Sequence, residues 1–265
     1  MNKTKIKNIL YIKNFDKGKN LDYLESQPNI EIKFIESKVL IGYSLNQLKK
    51  TIEPFDIIVL GGGPQHLTTN NFLVTHPEII NQIEIVKLVS TEYTKTKILL
   101  GICLGCQIIA FSFGLKIVPA KKLVIGFDYL DITSIYKDYI YKSNDKYLSK
   151  LDFNLLSKSF SFHYDCIEFD HDELENISIE EDNLVLIGVS FEKYPYIITN
   201  TNSNIYGFQI HPEICIETMF HALNTLENII INDNIETEKF FSTNILKTID
   251  LEKIYKHFFH VFFNT

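Results

Sequence analysis

The chain is 265 residues long and has no tryptophan, two methionines and four cysteines. It has no apolar run of about 18 residues, the length a membrane-crossing helix needs, so no membrane span is expected. The start Met1-Asn2-Lys3-Thr4-Lys5-Ile6-Lys7 lacks the apolar core of a signal peptide, which makes the cytoplasm the expected location. Positive charge is scarce: 26 Lys and Arg face 33 Asp and Glu, for a net charge of −7. That balance argues against nucleic acid as a main partner. The missing tryptophan excludes no chemistry; with abundant Asn, Ile, Lys and Tyr it points to AT-rich codon usage. Cys166 and Cys215 stand alone, so the second close pair of a four-cysteine zinc site is missing, and no metal or cofactor is expected.

What is present centres on residues 101–107, Gly-Ile-Cys-Leu-Gly-Cys-Gln, between the apolar Lys97–Leu100 and the helix-like Ile108–Phe111. Glycines on both sides of a potential nucleophile, where a strand meets a helix, describe a nucleophile elbow. The turn leaves no room for side chains at Gly101 or Gly105 and lifts Cys103 out of the fold. The helix N-terminus beyond it offers free N–H groups and a positive dipole end that stabilise a thiolate. A cysteine buried between packing glycines is the plainer reading of such a stretch taken alone. The rest of the chain favours catalysis.

A base lies far downstream in Ile205-Tyr-Gly-Phe-Gln-Ile-His211-Pro212-Glu213. A strand-like run ends at His211, and Glu213 is placed to hold the ring nitrogen that does not take the thiol proton. A third element, Asp56 to Pro64, runs from a β-branched strand into Gly61-Gly62-Gly63. Its backbone N–H groups suit a developing oxyanion, each donor being worth about 3–4 kcal/mol. The expected donors are the amides of Gly63 and Leu104. No Gly-Lys-Ser/Thr follows, which excludes a Walker-type phosphate loop.

In this order, Gly62-Gly63-Pro64, Gly101–Gln107, His163-Tyr164-Asp165 and Gln209–Glu213 resemble the class I (triad-type) glutamine amidotransferases. The closest likeness is to stand-alone domains similar to the glutaminase half of GMP synthase. The resemblance spans roughly residues 5–230. It implies Cys103 as nucleophile, His211 as general base and acid, and Glu213 as its orienting group. It also implies that Gln107, with the segment of His163 and Asp165, contacts the amino-acid end of substrate glutamine. The implied reaction is amide hydrolysis through a γ-glutamyl thioester on Cys103. Ammonia would pass to an acceptor synthetase on a separate polypeptide, because no acceptor domain is recognisable here.

The expected fold is α/β, an open, mostly parallel, flavodoxin-like sheet flanked by helices. Strands are expected at Ile9–Ile12, Ile30–Phe34, Ile57–Leu60 and Ile98–Ile102, with helices near 44–52 and 75–92. The elbow helix should end at Gly114. Residues 123–127, 160–163, 184–191 and 196–199 read as a small antiparallel region, and the polar stretch 134–150 as a surface insertion. The amidotransferase-like domain is expected over 1–232, closing with a helix at about 215–231. A C-terminal helical extension, 233–265, should carry a helix from about Thr237 to Phe263 with its aromatic face on the domain.

Three rival readings bear on the same residues. Cys103-Leu-Gly-Cys106 is formally C-x-x-C, but no aromatic precedes it, no proline lies inside it, and a redox site has no use for the glycine loop or His211-Pro212-Glu213. Oxidation trapping Cys103 with Cys106 as a disulfide is a subsidiary expectation. A γ-glutamyl peptidase or hydrolase would use the same thioester chemistry, and a non-catalytic binding or regulatory protein is the remaining alternative. His66 is expected near the pocket mouth. His76-Pro77-Glu78 repeats the downstream tripeptide at a helix start, where Pro77 explains it. His257 and His260 are read as surface or cap residues.

Overall fold

A computed structural model describes residues 6–15, 27–127, 130–133, 136, 139, 143, 145–168, 184–190, 193–214, 217–219 and 250–263. The strands are β1 (Lys7–Lys13), β2 (Ile30–Glu36), β3 (Ile57–Leu60), β4 (Ile98–Ile102), β5 (Ile117–Phe127), β6 (Asp131–Ile132), β7 (Phe160–Ile167), β8 (Leu184–Val189), β9 (Pro195–Asn200) and β10 (Ile205–Phe208). The helices that matter here are α1 (Leu45–Ile52), α2 (Glu78–Thr91), α3 (Leu104–Ser112) and α4 (Leu251–Phe263).

The main sheet runs β2-β1-β3-β4-β10-β9-β8-β6. Its first five strands are parallel and the last three are added antiparallel. Strand order reverses beside β1, so a crevice opens at the carboxyl ends of β1 and β3, the usual ligand position in such sheets. Asn14 and Gly61–Gly63 stand there.

Period-two alternation sends successive side chains to opposite faces. Leu10, Ile12, Ile58, Leu60 and Leu99 pack with the buried faces of α1, α2 and α3. Ile9, Tyr11, Val59, Leu100, Tyr206 and Phe208 pack on the other side with α4. α1 starts at the N-cap Ser44, where a reciprocal capping box with Gln47 satisfies two otherwise free amides. Gly114, at φ +93°, follows α3 in a conformation that suits glycine.

The expected antiparallel region is present. Within it, β5 and β7 pair with each other as a separate ribbon. The ribbon touches the main site through a bridge between Phe160 and His211.

The stretch expected as a surface insertion, 134–150, has a buried side where it is described: Tyr139, Asp145, Tyr147 and Leu148 are buried while Lys146, Ser149 and Lys150 are exposed. Asp145 explains the burial of this polar segment. It accepts the phenols of Tyr206 at 3.0 Å and Tyr139 at 3.3 Å, and the amides of Tyr147 and Leu148 at 2.9 Å.

α4 buries Ile254, Tyr255, Phe258, Phe259, Phe262 and Phe263. Phe262 stacks on Tyr147 and meets Tyr206, Phe208 and Phe258 edge-on or tilted. The expected helix over 215–231, the 232/233 boundary and the start of the last helix near Thr237 lie largely outside the described residues. No helix among the described residues is long and apolar enough to cross a membrane.

Candidate active site

β4 ends at Ile102 and α3 begins at Leu104, so the whole turn falls on Cys103. Cys103 adopts φ +51°, ψ −106°, which a residue with a Cβ rarely takes and which costs roughly 1–3 kcal/mol. The surrounding contacts hold it there. Its N–H donates to Phe208 O at 2.7 Å, and its carbonyl accepts Gln107 N–H at 3.1 Å. A Cβ on Gly101 would lie 2.5 Å from Gly105 O, and one on Gly105 would run into Leu60 O, so α3 and β4 approach too closely for any side chain.

The Cys103 thiol is largely buried and donates to Phe162 O at 3.5 Å. Gln209 Nε2 approaches the same sulfur at 3.7 Å.

His211 follows β10 and is tied to β7 by its N–H donating to Phe160 O at 2.8 Å. Its ring stands close enough to Cys103 for the two to interact electrostatically, and Nδ1 lies 2.8 Å from Glu213 Oε1. Burial opposes the imidazolium, but the Glu213 carboxylate and Cys103 outweigh it and hold the His211 pKa well above its usual range. The three residues therefore stand together as a thiol, imidazole and carboxylate row. The decoy pair His76 and Glu78 also approach, with Nδ1 3.4 Å from Oε1.

The glycine loop closes over this row. A Cβ on Gly62 would lie 3.2 Å from His211 Cε1 and 3.5 Å from Cys103 Cβ. One on Gly63 would reach Leu104 Cδ2 at 3.0 Å, so Gly63 lies beside the first residue of α3.

Gln107, His163 and Asp165 are buried behind the nucleophile, and their side chains are engaged within the protein. Gln107 Nε2 donates to Asp165 O at 2.9 Å and to Gln209 Oε1 at 3.1 Å. His163 Nδ1 lies 3.1 Å from Asp165 O, so Nδ1 carries the hydrogen and Nε2 is left to accept the Tyr196 hydroxyl at 3.3 Å. Burial, followed by His211, pushes the His163 pKa down to about 3, which keeps that ring neutral.

The Asp165 carboxylate fastens the loop after Pro64. It accepts Leu67 N–H at 2.9 Å and the Thr68 hydroxyl at 3.1 Å, with His66 Nδ1 at 3.4 Å. His66 is half exposed, its ring edge-on to Tyr164.

Sequence reasoning missed this clamp, the approach of Gln209 to the sulfur, and a set of buried amides under the glycine loop. A single sequence carries a signal for none of them, since each joins residues tens of positions apart.

Cys103 and Cys106 belong to different hydrophobic cores. The Cys106 sulfur lies 2.8 Å from where a Gly207 Cβ would stand. Burial, with Cys103 adding, raises its thiol pKa well above normal, and both thiols are free. Among the described residues no group of acidic, histidine or cysteine side chains is arranged to hold a metal.

Residues 35–225 match the model of the family described as glutamine amidotransferase class-I. A glutamine amidotransferase-like protein of Acanthamoeba polyphaga mimivirus is 22% identical over 191 residues, covering 72% of this chain and 73% of that protein. Among solved structures, a glutamine amidotransferase from Thermotoga maritima superposes with a TM-score of 0.66 at 14% identity, covering 96% of each chain. A Thermoplasma acidophilum protein described as a subunit of GMP synthase superposes with a TM-score of 0.53 at 17% identity, covering 84% of this chain and 97% of its own. At these identities the structural likeness speaks for the fold.

Proposed function

Because the chain belongs to the class-I glutamine amidotransferase family, we propose that it hydrolyses the side-chain amide of glutamine, with Cys103 as nucleophile, His211 as base and acid, and Glu213 as the group that orients His211. The observation that carries this reading is Cys103 at φ +51° on the elbow, beside an imidazole whose Nδ1 lies 2.8 Å from Glu213 Oε1.

The chemistry follows from that row. Cys103 passes its proton to His211, whose imidazolium the Glu213 carboxylate stabilises. The sulfur attacks the amide carbon, and the carbonyl π-electrons move onto oxygen. The amides of Gly63 and Leu104 are the proposed donors to that oxyanion. Collapse of the tetrahedral species breaks the C–N bond while His211 protonates the leaving nitrogen, so ammonia departs and a γ-glutamyl thioester remains. Water then attacks the thioester as His211 takes its proton. Glutamate leaves and the thiol is restored.

Gln107, His163 and Asp165 serve the amino-acid end of the substrate by fixing the wall behind the nucleophile. No cofactor enters this scheme. Ammonia released here would serve a synthetase on a separate chain, in a cytoplasmic setting. That acceptor belongs to the proposal.

The test is intact mass after incubation with 6-diazo-5-oxo-L-norleucine, a glutamine mimic that alkylates thiolates. One adduct on wild type, absent from Cys103→Ala and slowed by glutamine, is the expected result. No adduct on a protein whose Cys103 still reacts with iodoacetamide would overturn glutamine as the substrate and shift the assay to γ-glutamyl peptides.

A further inference from the structure

Under the glycine loop lies a buried set of side-chain amides that the scheme above does not use. Asn14, just past β1, donates Nδ2 to Gly61 O at 2.9 Å and to Gln82 Oε1 at 3.1 Å. Gln82, on α2, returns Nε2 to Asn14 Oδ1 at 2.7 Å. Gln65, just past Pro64, shares Nε2 between Asn14 O at 3.1 Å and Glu78 Oε1 at 3.3 Å. The Gln65 Oε1 atom occupies the place where a Gly63 side chain would stand, and a Gly63 Cβ would also meet Asn14 Cβ at 2.6 Å. Asn14 is 7% exposed and Gln82 is fully buried.

Packing alone does not call for amides here. A strand end and a helix can be joined by aliphatic side chains without the cost of burying polar groups. What the amides add is orientation. A peptide group is planar and trans, so the Gly61 carbonyl and the Gly62 N–H point in opposite directions from one rigid plate. Holding the carbonyl stops the plate from rotating and fixes where Gly62 stands against Cys103 and His211. Gln65 and Asn14 then back the next residue, Gly63, against Leu104.

We infer that Asn14 and Gln82, assisted by Gln65, are positioning residues that hold the 61–63 loop in register with the nucleophile. They act through the loop rather than on the substrate. The inference rests on the amidohydrolase reading above.

The experiment measures glutamine hydrolysis, Cys103 alkylation by iodoacetamide and Tm for wild type, Asn14→Ala, Asn14→Asp and Gln82→Leu. Misplaced donors cost rate in the transition state, so Asn14→Ala should lower kcat about 10- to 100-fold while KM stays within about twofold. Iodoacetamide has no oxyanion to stabilise, so its rate should not change. Asn14→Asp keeps an acceptor for Gln82 but loses the donor to Gly61 O, and should match the alanine variant. Gln82→Leu leaves Asn14 in place and suits a buried helix position, so it carries the test if the Asn14 variants fail to fold; a fall in kcat of about 3- to 10-fold is expected.

Folded variants with unchanged kcat overturn the inference, as does a loss of kcat matched by a loss of iodoacetamide reactivity, which would mark a packing role. A wild type that neither hydrolyses glutamine nor takes the diazo adduct refutes the amidohydrolase reading and this inference with it. An active wild type with unaffected variants refutes this inference alone.

Discussion

Replacing Phe262 by alanine tests whether α4 is a working part of the fold or an appendage. Phe262 is fully buried, its ring 5.3 Å from Tyr147 in a near-parallel stack and 5.2, 5.7 and 5.2 Å from Tyr206, Phe208 and Phe258. Truncating such a side chain costs about 3–5 kcal/mol in lost transfer energy and residual cavity. For a chain of this size each kcal/mol moves Tm by about 2–4 °C, so a mid-range cost of about 4 kcal/mol predicts a fall of about 8–16 °C. Scanning calorimetry or thermal circular dichroism measures this directly. Glu252→Ala is the control: its partner Lys256 is 2.6 Å away but both side chains are exposed, so the change should stay within about 0.5 kcal/mol. The site should feel the larger cavity, because Tyr206 and Phe208 belong to the strand that delivers His211. A Tm shift below about 2 °C for Phe262→Ala would refute the reasoning and make α4 dispensable.

Three further outcomes are expected. Glu213→Gln removes the carboxylate at His211 Nδ1 and should lower kcat about 100- to 10,000-fold, the range of a disabled acid–base group. Glu213 raises the His211 pKa, so the alkaline limb of the kcat/KM profile should also move to lower pH; an unmoved limb would contradict the assignment. His163, with a folded pKa of about 3 against about 6.5 unfolded, makes folding lose stability as pH falls from about 6.5 towards 3, on the order of 3 kcal/mol by pH 4. Urea midpoints for His163→Gln should show that acid loss flattened, and an unchanged acid limb would refute a buried neutral ring. Gly105→Ala places a methyl against the Leu60 carbonyl and should cost at least about 2 kcal/mol while abolishing the diazo adduct; a stable variant that still takes it would refute the close approach of α3 to β3.

The elements that could be read from the chain are those whose chemistry is local. Gly101 and Gly105 around Cys103 describe a turn that only small residues permit, and the turn appears with Cys103 at positive φ. The continuous apolar runs Ile9–Ile12 and Ile57–Leu60 make strands whose faces both need covering, which is why a sheet with helices on either side could be expected. The helix expected near 44–52 is present as α1.

The elements that could not be read depend on where distant segments meet. The stretch 134–150 is polar in composition, yet Asp145 is buried because the Tyr139 and Tyr206 phenols and two amides converge on it. Asp165 looks like part of a substrate strand until its carboxylate is seen fastening Leu67 and Thr68, 98 and 97 positions away. The Cys103-x-x-Cys106 spacing says nothing of packing, and only the fold shows Cys103 in one core and Cys106 in the other.

By itself, then, the sequence determined the elbow, the loop of glycines and the His211–Glu213 pairing, because backbone sterics and two-residue spacings leave little choice. Tertiary structure alone decided which buried amides and carboxylates hold those parts in register. A hydrogen bond between Asn14 and Gln82 depends on how a strand end and a helix come to lie side by side, and no spacing along the chain encodes that.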